Sequence, residues 1–140
     1  MTRINVVPVD ELSDQHLIAE YRELPRVFSQ KLNLDGAPEK YCLGKGHVKW
    51  GRNHAKFIIN RISQILNEMT FRGFHVSFWR PQSICALGEY WYSEPVSCFK
   101  DYVPTNDDIE LNRARLIEKY RMRPNWYRWT KRKKPKYMED

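Results

Sequence analysis

The chain has 140 residues, 41% of them apolar, and carries 24 basic against 17 acidic groups for a net charge of +7. That length suits one domain with a core of its own. No apolar run spans a bilayer, no basic-then-apolar leader precedes a cleavage site, and the three cysteines, Cys42, Cys85 and Cys98, lack paired spacing. A membrane protein, a secreted protein and a disulfide scaffold are therefore not expected, and a reducing compartment is.

The first predicted helix runs from about Ser13, a suitable N-cap, to about Lys31. At about 100° per residue, Leu17, Tyr21, Leu24 and Phe28 share one stripe. Gln15, His16, Ala19, Arg22, Glu23 and Arg26 fall on the other half. Pro25 removes one amide and clashes with the carbonyl of Tyr21, which predicts a bend. Residues 33–52 read as irregular, with "NLDGAPEK" and "GKGHVKWG" as turn signals.

The second helix is the clearest. Ala55, Ile58, Ile59, Ile62, Ile65, Leu66 and Met69 recur at helical spacing, and Gly73 stands where a closing glycine belongs. Lys56, Arg61 and Glu68 mark its expected wet side. Residues 74–104 are aromatic and punctuated by proline, and read as packed loops. A third helix starts near Thr105 or Asn106, with Asp107 and Asp108 in its first turn, and ends before Pro124. Ile109, Leu116 and Tyr120 form its inner stripe, with Arg115 and Lys119 together on an outer face. The expected fold is all-α: one compact domain over residues 1–130, of three main helices with long irregular connections. Residues 131–140 read as a basic, flexible tail.

Charge is unevenly spread. Residues 1–39 and 81–120 are each net −3, whereas residues 40–80 are net +7 and residues 121–140 net +6. Two basic blocks in an otherwise acidic chain point to a polyanion surface, or else to a solvated charge run. "RMRPNWYRWTKRKKPK" interleaves cations with Trp126, Tyr127 and Trp129. Cations hold phosphates, and rings stack on bases or wedge between them; the same rings could instead close the core. Cys42, His47 and His54 match no zinc spacing, so neither a metal nor a cofactor is expected. "GKGHV" lacks the strand-then-helix setting of a phosphate-binding loop. On helix one, Glu23 lies between Arg22 and Arg26 with His16 nearby, which fits either a surface ion-pair cluster or a catalytic carboxylate.

"MTRINV" at the start, "DQHLIAEYRELPRVF" at 14–28, "LGKGHVKW" at 43–50 and "RARLIEKYRMRPNWYR" at 113–128 resemble the phage-type endonuclease V family. These are pyrimidine-dimer DNA glycosylases with AP lyase activity. Residues 29–42 and 76–101 match it poorly, and the tail is more basic than the family pattern. The resemblance implies an all-α domain that acts on cyclobutane pyrimidine dimers in UV-damaged duplex DNA, bends the duplex and flips out a base. It implies Thr2 as nucleophile, through the α-amine freed when Met1 is removed, and Glu23 as the catalytic carboxylate. It also implies DNA contacts by Arg3, Gln15, His16, Arg22, Arg26, Arg115, Lys119, Trp126, Tyr127 and Arg128.

The chemistry suits those roles. A terminal amine has a reference pKa of about 7.7–8.0 against about 10.4 for lysine, so more of it is neutral and nucleophilic at pH 7. A carboxylate stabilises the positive charge that grows on a sugar losing its base. The expected partner is UV-damaged duplex DNA, with non-specific binding to undamaged duplex, and the expected setting is cytoplasmic and DNA-associated. A monomer is the default. A same-fold glycosylase for ring-opened purines, and a non-catalytic DNA-binding module, stay open beside this reading.

Overall fold

The computed structural model describes residues 3–28, 35–76 and 100–138. Met1, Thr2 and most of the connection read as packed loops lie outside the described residues. Among those described there are four α-helices, three of them long, and no strand. The helices are α1 (Asp14–Glu23), α2 (His47–Arg52), α3 (Ala55–Arg72) and α4 (Asn106–Met122). Short 3₁₀ segments form at Val9–Glu11, Leu24–Phe28 and Lys136–Met138.

α1 starts at Ser13, whose hydroxyl accepts from the His16 amide at 3.1 Å. Its α-form ends earlier than the expected Lys31. Pro25 has no hydrogen to give the Tyr21 carbonyl, and the chain tightens into the 3₁₀ stretch Leu24–Phe28. Leu17, Tyr21 and Leu24 are buried as the stripe requires.

α2 corrects the reading of residues 33–52 as irregular. At six residues it is too short to display a period, and it starts from Gly46 at φ 91°, a left-handed conformation that glycine adopts without strain. Tertiary contacts hold it. Trp50 is fully buried, and a Cβ on Gly51 would lie 2.5 Å from Ile4 Cδ1, so Gly51 lets the N-terminal segment pass close over the helix.

α3 buries Ala55, Ile58, Ile62, Ile65 and Met69 and stops at Gly73, φ 86°. Its wet side needs correcting. Lys56 is exposed, but Arg61 and Glu68 are buried, at 3% and 5% exposure. Arg61 forks onto Glu20 of α1, and Glu68 takes Arg72 at 2.8 Å and Arg132 at 2.9 and 2.8 Å. Arg132 and then Arg72 hold the Glu68 carboxyl below its ordinary range, against the burial that raises it.

α4 opens on a capping box between Thr105 and Asp108, and buries Asn112, Leu116 and Tyr120. The C-terminal segment reaches back to the helices. Lys131 Nζ donates to the Phe71 carbonyl, Lys134 Nζ donates to the Tyr120 hydroxyl, and Met138 is 3% exposed.

Candidate functional site

The N-terminal segment has no regular secondary structure to satisfy its backbone. A buried amide or carbonyl must still find a partner, and here side chains from all four helices supply one. The Ile4 amide donates to His47 Nε2 at 2.9 Å, and Tyr41 donates its hydroxyl to the Ile4 carbonyl at 2.7 Å. Asn112 Oδ1 accepts from the Val6 and Val7 amides at 2.7 and 3.1 Å, and its amide donates to Asn5 Oδ1 at 2.8 Å. Asn5 in turn donates to Glu20 Oε1 at 2.8 Å. Arg61 meets Glu20 at 2.9 and 3.1 Å and also donates to the Val7 carbonyl. Both charges are buried, so their pairing and full hydrogen bonding decide whether the arrangement holds.

A cleft of about 340 Å³ opens beside this segment. Arg3, His16, Tyr41, His47, Asn112, Arg115 and Lys119 are among its lining residues. Three of these are cations from the N-terminus and α4. Arg3 Nε stands 3.7 Å from Glu23 Oε2, which sets the half-buried carboxylate of Glu23 (14% exposed) at the cleft's margin. Arg115 is within 3.7 Å of the exposed Glu118, an ion pair of little strength in solvent.

His16 is 3% exposed, and its Nδ1 lies 3.0 Å from Ser13 Oγ. Because that hydroxyl already accepts the His16 amide, donating its hydrogen to Nδ1 satisfies both groups and leaves the ring hydrogen on Nε2. Nε2 is buried and has no hydrogen-bond partner among the described residues. Burial, then the nearby Arg3 and Lys119 charges, push the pKa down to about 4, so the ring is neutral at pH 7.

The aromatic segment docks on the start of α1. Gln15 Nε2 donates to the Trp126 carbonyl at 2.9 Å, and its Oε1 accepts from the Arg128 amide at 3.0 Å. The Asp14 amide reaches the Arg128 carbonyl at 2.7 Å. Held this way, Tyr127 stacks on His16 at 4.7 Å. Trp126 stays 48% exposed with the Arg123 guanidinium 4.8 Å from its ring centroid.

Of the residues singled out in the sequence, Arg3, His16, Arg115 and Lys119 meet in the cleft, and Glu23 joins through Arg3. Tyr127 packs behind His16. Gln15 spends both ends of its amide on residues 126–128, which present Trp126 and Arg128 outward. Arg22 and Arg26 are exposed on α1 and the turn after it. Thr2 lies outside the described residues.

Sequence reasoning missed His47, Tyr41, Asn112 and Glu20, which anchor the segment. Two of them left a trace: Asn112 interrupts the apolar stripe Ile109–Leu116–Tyr120, and Glu20 sits between Leu17 and Leu24 on the buried side of α1. As metal candidates, His47 and His54 do not converge. His47 uses both ring nitrogens on Ile4 and Cys42, and His54 Nδ1 pairs with the Trp50 carbonyl.

An all-α body with a cationic cleft, a carboxylate beside one of its cations and an exposed cation–aromatic segment is the equipment of a protein that handles nucleic acid. A family model described as pyrimidine dimer DNA glycosylase matches residues 1–81, which include α1, α2, α3 and Glu23. The chain belongs to the pyrimidine dimer DNA glycosylase family.

Proposed function

We propose that this glycosylase is also an AP lyase, and that it works through its terminal amine. In this reading the neutral α-amine of Thr2 attacks C1′ of the 5′ nucleotide of a cyclobutane dimer. The glycosidic bond breaks toward the base, a Schiff base forms as the sugar ring opens, and loss of a C2′ proton expels the 3′ phosphate. Glu23 stabilises the positive charge developing on the sugar and receives the C2′ proton. Arg3, Arg115 and Lys119 hold phosphates, with Arg22, Arg26 and Arg128 extending that surface. Trp126 and Tyr127 lie on the damage side. Undamaged duplex binds through the same cations, and the protein acts as a monomer.

The observation that carries this reading is the Arg3–Glu23 pair at the margin of the cationic cleft. Thr2 is the next residue along, one Cα step of about 3.8 Å from Arg3. The test is borohydride trapping on a duplex with one defined dimer. A covalent complex is expected with the free Thr2 amine and none when that amine is acetylated or extended. Undiminished trapping with a blocked terminus would point to a lysine instead.

A further inference from the structure

We propose that His47, with the Tyr41 hydroxyl, is a positioning residue for the amino-terminal nucleophile, and that it acts by gripping the peptide groups on either side of Ile4. This inference rests on the terminal-amine reading above.

The grip is specific in its chemistry. An amide hydrogen needs an acceptor, and an imidazole offers one on only one nitrogen at a time. His47 Nδ1 lies 2.7 Å from the Cys42 carbonyl, which can only accept, so the ring hydrogen is on Nδ1. Nε2 is thereby a lone-pair acceptor, and the Ile4 amide uses it at 2.9 Å. The loop carbonyl thus fixes the tautomer that the N-terminal segment needs. Burial lowers the pKa of His47, against the opposing effects of the Cys42 carbonyl and the Glu20 charge, which keeps the acceptor form at neutral pH. On the other side of the residue, Tyr41 donates to the Ile4 carbonyl at 2.7 Å. The Ile4 side chain rests on bare Gly51, where a Cβ would come within 2.5 Å. Residue 4 is therefore held at its amide, its carbonyl and its side chain.

The consequence falls on Thr2. With Ile4 fixed, two residues separate the amine from a rigid point, so the nitrogen stays within about 7 Å of the Ile4 nitrogen. Without the His47 acceptor the Ile4 amide is released, and the next backbone anchor is the Ile4 carbonyl on the Tyr41 hydroxyl. The free end is then longer by one residue, about half as long again, and is no longer held at the peptide group that joins it to Arg3. Attack on C1′ needs the nitrogen about 3–3.5 Å from carbon in line with the departing base, and a misplacement near 1 Å costs about 10²-fold. His47 spends both ring nitrogens on protein groups and is neutral, so it has none left for a phosphate, and affinity is not the quantity expected to change.

Two substitutions separate the acceptor from the ring. His47→Phe fills the space without an acceptor, whereas His47→Gln can place an amide oxygen near the position of Nε2. Dimer-containing duplex is titrated by gel shift, and borohydride trapping is followed in single turnover well below each variant's melting temperature. The expected result for His47→Phe is a Kd within about threefold of the parent and a trapping rate lower by about 10²-fold. His47→Gln should recover most of that rate. A His47→Phe rate within a few-fold of the parent overturns the proposal, as does a His47→Gln rate as low as that of His47→Phe.

If His47→Phe does not fold, Tyr41→Phe is decisive. It removes one hydroxyl and keeps the ring. The expected result is a trapping rate lower by about tenfold at unchanged Kd; an unchanged rate refutes the grip. A parent protein that fails to trap at all overturns the terminal-amine reading and this inference with it. A parent that traps only with a free amine, beside a His47→Phe variant that traps equally well, overturns this inference alone.

Discussion

Arg61→Leu offers the most demanding test of how the N-terminal segment is held. Arg61 is 3% exposed and Glu20 is fully buried, and their fork at 2.9 and 3.1 Å gives each its main counter-charge. Removing one partner leaves the Glu20 carboxylate in the core with, among the described residues, only the Asn5 side chain and amide as donors. Breaking such a pair costs about 3–5 kcal/mol, of a total domain stability on the order of 5–15 kcal/mol. For a chain of this size that corresponds to a melting temperature lower by about 10–20 °C. Removing both charges is different: the double variant Glu20→Met with Arg61→Leu deletes the unpaired ion and should regain most of the loss. It should not regain activity, because Glu20 also holds Asn5 and Arg61 holds the Val7 carbonyl. Urea unfolding of the three proteins, run beside single-turnover cleavage, measures both. A single Arg61→Leu variant destabilised by less than about 1 kcal/mol, the range of an exposed pair, would refute the reasoning, as would a double variant with full activity.

Glu23→Gln should bind dimer-containing duplex as well as the parent or better, since it removes a charge that repels phosphate, while cleavage falls by at least about 10²-fold; gel shift beside single-turnover cleavage decides, and cleavage surviving within a few-fold would return Glu23 to a surface ion-pair role. His16 is held at a pKa of about 4, below its unfolded value of 6.5, so its contribution is intact above about pH 6.5 and is lost as pH falls toward 4. Between pH 7 and pH 5 the parent should lose about 2 kcal/mol that a His16→Gln variant does not, read from urea midpoints; equal losses would contradict it. Lys133 and Lys136 are exposed cations of the C-terminal segment, so changing both to Gln should flatten the salt dependence of undamaged-duplex binding by up to about 0.9 log unit per lost phosphate contact, with little effect on melting temperature. An unaltered slope would assign these lysines to solubility.

α3 and α4 were legible because each is long enough to repeat its apolar spacing and each has a chemical stop or start, Gly73 and the Thr105–Asp108 box. α2 was not, since six residues show no period and the helix depends on burying Trp50 and on passing close to Ile4. The misreading of Arg61 and Glu68 has a common cause. Charge on a helix reads as solvent, and nothing local announces a counter-charge on another element. Glu20 is 41 positions from Arg61, and Arg132 is 64 from Glu68. The cleft was legible in part through the resemblance that named Arg3, His16, Arg115 and Lys119. The anchors of the N-terminal segment were not, because His47 serves a backbone amide 43 positions away, and backbone amides have no sequence.

The anchoring of the N-terminal segment also sets an order of events during synthesis. Its first residues leave the ribosome first, but Val6 cannot meet Asn112, 106 positions further along, until that residue has been translated. At about 5–20 residues per second that delay is on the order of 5–20 s. Through that interval the Asn112 clamp cannot close, and Val6 and Val7 have no acceptor waiting for their amides. Closing the clamp afterwards docks the segment on a helix made near the end of the chain. The same long-range contacts that immobilise the segment in the finished protein thus make it the first stretch to be synthesised and one of the last to be fixed.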